Sequence, residues 1–164
     1  MAQTNEITAR LKGKSYQELK KEMSELSTEM LLDLLNNKSS KIGDTASSLL
    51  NQRRENERLA EAILQGKYTT KDGKVRAANT LLFVKADSKA VDDALLFLTR
   101  DKNERSAGNA LFALVALRRE RVIPELEKMK ETLGGSSRIK DKIELAIKAL
   151  VARNPKIYSP NYGG

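Results

Sequence analysis

The sequence predicts an all-α protein of stacked helical hairpins, with about seven or eight helices, and three observations carry that expectation. Large apolar residues recur at spacings of three and four along the chain. Gly and Pro are scarce inside those apolar segments and β-branched runs are short, which favours helix and leaves no stretch with strand alternation. A stretch in the C-terminal half also repeats itself at a nearly fixed interval, which is how a row of similar units is written in sequence.

Each element follows from local chemistry. A short helix is expected over residues 4–12, closed by Gly13, the residue type that ends helices most easily. "SYQE", Ser15 to Glu18, has the spacing of a capping box: the Ser15 hydroxyl accepts a first-turn N–H while Glu18 reaches back, so a helix runs to about Leu26. A third helix over residues 27–36 presents Met30, Leu31, Leu34 and Leu35 on one wide face. "NNKSSKIGD" reads as a break. A longer helix from Asp44 to Gly66 carries Ala46, Leu49, Leu50, Leu59, Ala60, Ile63 and Leu64, and its polar middle "NQRREN" leaves room for a bend or a break near residues 53–56. After "GKYTTKDGK", helices are expected at residues 74–85, 88–99, 104–118, 123–133 and 138–153, with "GGSS" between the last two.

Laying Asp72 onward over Asp101 onward at an interval of 29 pairs Asp72 with Asp101, Arg76 with Arg105, Ala78 with Ala107, Leu82 with Leu111 and Phe83 with Phe112. The second helices follow at 31, with Val91 over Val122, Leu95 over Leu126 and Leu98 over Met129. A weaker third copy sets Ile143, Ala146, Ile147 and Leu150 over Ala107, Ala110, Leu111 and Leu114. One hairpin of this size cannot bury its apolar face alone, so neighbours must stack. Small residues Ala107, Gly108 and Ala110 permit close helix approach, "RRER" is expected to form a solvated turn, and Pro124 suits a helix start, where no N–H is needed.

"DGKVRAANTLLFV" and "DKNERSAGNALFAL" resemble the first helix of a HEAT-type repeat, and "RVIPELEKM" resembles the start of its second helix, Pro included. The resemblance covers residues 72–152 and implies a right-handed α–α superhelix. On this reading residues 1–153 form one helical domain, irregular over 1–66 and built of HEAT-like hairpins over 67–153, followed by a tail at 154–164. In the tail, Ile157, Tyr158 and Tyr162 are expected to fold back over the final hairpin and shield its open side.

Composition narrows the chemistry. The 164 residues contain no His, Cys or Trp, which removes imidazole bases, thiolate nucleophiles and soft metal ligands. No disulfide framework, apolar leader or membrane-length apolar run is present, so a cytoplasmic protein without membrane contact is expected. The net charge is +8. Residues 1–66 carry ten Lys and Arg against ten Asp and Glu, whereas residues 67–164 carry twenty against twelve, so the basic character is assigned to the C-terminal part.

Asp92 with Asp93, and Glu125 with Glu127, lie among lysines and read as solvated faces rather than acid–base pairs. No Walker-type loop is present. Neither an enzyme, a cofactor nor a metal is expected. The densest basic cluster is "LRRER": Arg118, Arg119 and Arg121, where like charges repel unless an acid relieves them, and Arg forks suit carboxylates or phosphates. "NQRREN", with Arg53 and Arg54, comes second. Aromatic residues are few, with Phe83, Phe97 and Phe112 at core spacing, so a base-stacking platform is lacking.

What the HEAT resemblance implies is a non-catalytic protein-binding module, and its small size suits a stoichiometric inhibitor such as an immunity protein that neutralises a toxin. Arg118, Arg119 and Arg121 would anchor an acidic protein surface, followed by Lys128, then Arg76 and Arg105, which can instead pair with Asp72, Asp101 or a neighbouring repeat. A nucleic-acid-binding module using the same cations on phosphates is the alternative. The sequence leaves the oligomeric state open.

Overall fold

Ten α-helices run through the residues that the computed structural model describes, 2–83, 87–133 and 137–160, with no strand among them. They are α1 (Ala2–Leu11), α2 (Tyr16–Met23), α3 (Thr28–Leu34), α4 (Ser40–Arg53), α5 (Asn56–Leu64), α6 (Lys71–Leu82), α7 (Lys89–Thr99), α8 (Glu104–Ala116), α9 (Ile123–Thr132) and α10 (Arg138–Val151). Short 3₁₀ turns lie at Glu120–Val122 and Pro155–Ile157. No helix among the described residues is long and apolar enough to cross a membrane. The expected helix end at Lys85, residues 134–136 of the "GGSS" separator and Tyr162 lie outside the described residues.

The expected seven or eight helices become ten: the elements set out above already number nine, and the tenth comes from the break allowed for inside the long helix of residues 44–66. Ser39, read as part of a break, caps α4 by accepting the N–H of Ile42, and Ile42 and Gly43 are buried. The break allowed for near residues 53–56 is real: Arg54 takes a left-handed conformation (φ 57°), and its N–H and that of Glu55 close back on Asn51 and Leu50. Gly13 (φ 79°) ends α1 as expected, and the Ser15–Glu18 capping box forms in both directions. Ser27 caps α3, and Pro124 sits in the first turn of α9.

Two rows of helices build the core. Even-numbered helices follow one another in space, α2 against α4, α4 against α6, α6 against α8 and α8 against α10, while α1 meets α3 and α5 meets α7 in the second row. Hairpin partners α3 and α4, α7 and α8, and α9 and α10 join the rows. Leu31, Leu50, Leu59, Ile63, Leu81, Leu95, Leu111 and Leu126 fill the space between them, each 1% exposed or less, and each stabilises the fold by about 1.5 to 3 kcal/mol relative to a solvent-exposed side chain.

The structure corrects the register of the repeat. α6 and α8 are capped by Thr70 and Asn103, 33 residues apart. At that interval Gly73, Val75, Ala77, Ala78, Thr80 and Leu81 correspond to Ser106, Gly108, Ala110, Leu111, Ala113 and Leu114, all buried. The expected interval of 29 is four residues short, about one helical turn; it found the right face at the wrong height. Asp72 consequently lies inside the first turn of α6, whereas Asp101 precedes α8, pairs with Lys74 of α6 and accepts the N–H of Asn103 at 2.8 Å. The weaker copy is in step: Ile143, Ala146, Ile147 and Leu150 are buried on α10 just as Ala107, Ala110, Leu111 and Leu114 are on α8.

Phe83 and Phe97, placed in the core from their spacing, are 69% and 42% exposed, and Phe112 is half-buried. The one-turn error moves Phe83 past the end of α6, and Phe97 lies away from the buried positions Val91, Leu95 and Leu98 of α7. The tail does turn back. Its 3₁₀ turn packs on α10, Ile157 and Tyr158 rest against the core, and the Tyr158 hydroxyl donates to the carbonyl of Gly108 at 2.9 Å. It thus covers the seam between α8 and α10.

Candidate partner-binding surface

The arginine cluster between α8 and α9 is held by acids of the same chain. Asp92 on α7, with a side chain 4% exposed, receives both neighbours: Arg119 Nε stands 3.1 Å from its Oδ1, and Arg121 Nε bonds its Oδ2. Asp87, before α7, adds contacts of 3.3 Å to Arg119 Nη1 and 2.8 Å to Arg121 Nη1. The Arg119 side chain is only 10% exposed. Hydrogen bonding to Asp92 pushes the Arg121 guanidinium further toward its charged form. The expected solvated "RRER" turn is therefore a partly buried ionic knot, and Asp92 is one of its centres rather than part of a solvated face. Asp93, one residue on, does face solvent and pairs with Lys89 at 2.6 Å.

Arg118 stands apart from this knot. It is left-handed (φ 54°), and its N–H and that of Arg119 bond Val115 and Leu114 to end α8. Arg153 (φ 53°) ends α10 by the same two bonds, to Leu150 and Ala149. Together with Arg54 on α4, three helices of the even row close on an arginine where glycine is the commonest choice.

The remaining predicted anchors divide. Arg76, with a side chain 11% exposed, donates through Nη1 to the carbonyls of Leu35 and Asn37 at 2.9 and 2.7 Å, and its Nε lies 3.4 Å from Asp44. It pairs with a neighbouring helix and not with Asp72. It crosses α4 directly above Gly43, where a Cβ would come within 2.7 Å of Nη1. Lys128 is exposed and pairs with Glu125 at 3.0 Å. Arg105 is exposed in the first turn of α8 and makes no ion pair among the described residues.

Charge divides between the rows more sharply than between the halves of the chain. The odd-numbered helices carry five Lys and Arg against ten Asp and Glu; the even-numbered ones carry twelve against seven. Counting by halves concealed this, because consecutive helices alternate between the rows and their charges partly cancel within any long window. Helix boundaries assigned first, and charges then summed by alternate helices, would have exposed the division.

On the basic row, α8, α10 and the returning tail border a trench of about 540 Å³, lined by Asn103, which caps α8, by Glu104, Arg105, Asn109 and Phe112 of α8, by Lys142 of α10 and Tyr158, and by Lys71 of α6. Gly108 forms part of its floor, and a Cβ there would come 2.8 Å from Lys142 Nζ. Lys142 lies 3.5 Å from Glu104. The Phe112 and Tyr158 rings stand 6.4 Å apart at a 36° tilt, and burial raises the Tyr158 hydroxyl above its ordinary pKa. Among the described residues no group of three or more His, Cys, Asp or Glu converges as a metal site would require. What the trench offers a ligand is cationic side chains beside side-chain amides, which suits anions and polar chains. Sequence reading missed Lys71, Asn109 and Lys142, which are far apart in the chain and share no motif. A scan against protein-family models and searches of curated proteins and of solved structures found no match.

Proposed function

We propose that this chain is a right-handed α–α superhelix of the HEAT kind that works as a non-catalytic protein-binding module, presenting its basic row, α2, α4, α6, α8 and α10, to an acidic protein surface. The observation that carries this reading is the charge division between the two rows. Opposite net charge on alternate helices gives one face a field that draws an acidic partner in and orients it, which raises the association rate and makes it sensitive to salt. Arg119 and Arg121 are already ion-paired with Asp87 and Asp92, so Lys71, Arg105 and Lys142 take the place of anchors. A stoichiometric inhibitor, such as an immunity protein occluding a toxin, is one form that this function takes, with the basic row covering the partner's acidic site.

The test is affinity capture from the native host with three proteins. These are the wild type, an even-row variant (Lys41→Glu, Arg138→Glu, Lys148→Glu) and an odd-row variant (Arg58→Glu, Lys89→Glu, Lys128→Glu). An acidic protein retained by the wild type and the odd-row variant, but lost from the even-row variant, supports the reading. Retention by all three, or nuclease-sensitive capture of nucleic acid alone, refutes it; the latter result would favour phosphate binding by the same cations.

A further inference from the structure

We infer that the trench between α8, α10 and the tail is a binding site for an extended acidic peptide segment, reading both its carboxylates and its backbone; the inference rests on the protein-binding reading above. The cations are the first argument. Lys71 and Arg105 make no ion pair among the described residues, and both border the trench. Lys142 extends over Gly108 into the same space. Three positive groups from three helices face one cavity that holds one carboxylate, Glu104, already within 3.5 Å of Lys142 and 3.8 Å of Arg138.

The two asparagines decide the chemistry of the ligand. Asn103 Oδ1 accepts the N–H groups of Arg105 and Ser106 at 3.0 and 3.1 Å, so that atom is the oxygen and its amide nitrogen, which makes no bond among the described residues, is left to donate. Asn109 Nδ2 donates to the carbonyl of Arg105 at 2.9 Å, so its oxygen is left to accept. The trench therefore offers one donor and one acceptor beside its cations, the complement of a peptide C=O and N–H. A phosphodiester backbone offers acceptors and no donor, and would leave the Asn109 oxygen facing phosphate oxygens. The aromatic wall adds no base platform, since Phe112 and Tyr158 pack on each other and the Tyr158 hydroxyl is engaged with Gly108.

The test needs no natural partner. An end-blocked ten-residue peptide with Glu or Asp at alternate positions, its Gln/Asn counterpart and a single-stranded DNA decamer are each titrated into ¹⁵N-labelled protein, with amide shifts followed by NMR. The acidic peptide is expected to shift residues 103–112, Lys142, Tyr158 and the Asn103 side-chain amide, and the neutral peptide to shift them at least tenfold more weakly. Arg105→Ala is expected to weaken the acidic peptide about fivefold or more, and Asn109→Leu to weaken it about fivefold without altering the response to DNA. Unchanged melting temperatures would show that both variants fold. The inference is overturned if the shifts map elsewhere, if DNA binds the trench as tightly as the peptide, or if Asn109→Leu is without effect. It is overturned separately from the wider reading if an acidic protein is still captured through Lys41, Arg138 and Lys148 while the trench variants change nothing.

Discussion

Replacing Asp92 by Ala should be among the most damaging single changes to a charged residue in this protein. Its carboxylate is almost wholly buried on α7, and the Arg119 guanidinium it binds is 10% exposed. Removing the acid takes away that cation's buried counter-charge, and Asp87 beside it is itself 79% exposed and screened by water. Taking one partner from a buried pair typically costs about 3 to 5 kcal/mol, because the other charge remains desolvated. For a domain of this length 1 kcal/mol corresponds to about 2 to 4 °C, so the melting temperature should fall by about 10 °C, read by circular dichroism at 222 nm and checked by urea titration. Asp93→Ala is the internal control. The same residue type one position on, in an exposed pair with Lys89, should cost less than about 0.5 kcal/mol. Combining Asp92→Ala with Arg119→Met should recover part of the loss, since the stranded charge is gone. A loss below about 1 kcal/mol for Asp92→Ala, or strict additivity in the double variant, would refute the claim that the knot is a desolvated ionic site.

Three further outcomes can be measured in the same way. Arg118→Gly should stabilise the protein by about 1 kcal/mol, because a left-handed non-glycine residue costs roughly that much, and Arg153→Gly should do likewise; destabilisation by either in chemical denaturation would contradict this. Gly43→Ala, in a helix interior where alanine ordinarily gains about 1 kcal/mol, should instead destabilise by about 1 to 3 kcal/mol, since the added methyl displaces an Arg76 side chain fixed by two carbonyls. Gly108→Ala meets only the flexible end of Lys142 and should be neutral or stabilising, so thermal melts of the pair should differ in sign. Burial holds the Tyr68 and Tyr158 hydroxyls protonated above their ordinary pKa of 10.0. The folded form therefore binds those protons more tightly than the unfolded one. Their contribution is complete below pH 10 and is lost above it, at up to about 1.4 kcal/mol per pH unit for each tyrosine. Alkaline denaturation of Tyr68→Phe and Tyr158→Phe should show a shallower decline than the wild type, and identical slopes would exclude this linkage.

What the sequence disclosed was local. Ser15, Ser27 and Pro124 announce helix starts through chemistry complete within four residues, and the structure has all three. The starts at Ser39 and Thr70 were hidden because glycine stands in or near the first turn, at Gly43 and Gly73, where close approach by Arg76 and by Asn36 leaves no room for a side chain. Properties shared between distant segments were legible only in part. The face of each repeated helix could be read from its period, but its height could not, since a shift of one turn leaves the face unchanged. Asp92 and Asp93 look alike in a sequence; only the packing of α7 against α8 and the turn that follows gives one of them two arginines and the other water. The trench shows the same limit, for Lys71, Arg105 and Lys142 become neighbours only when α6, α8 and α10 lie side by side.

Arg76 has a consequence for any attempt to divide the chain. Its guanidinium finishes the last turn of α3 while its backbone belongs to α6; the Tyr68 hydroxyl on Leu32, the Asn36 amide on Lys67 and the Ser47–Thr80 hydroxyl pair cross the same line. A chain cut after Gly66 would strip a nearly buried cation of its acceptors and open the flank of α6 to water. The more regular C-terminal part is thus no free-standing module with an ornamental leader: the first five helices act as its end-plate, and a truncation beginning at Lys67 should aggregate or melt without a cooperative transition.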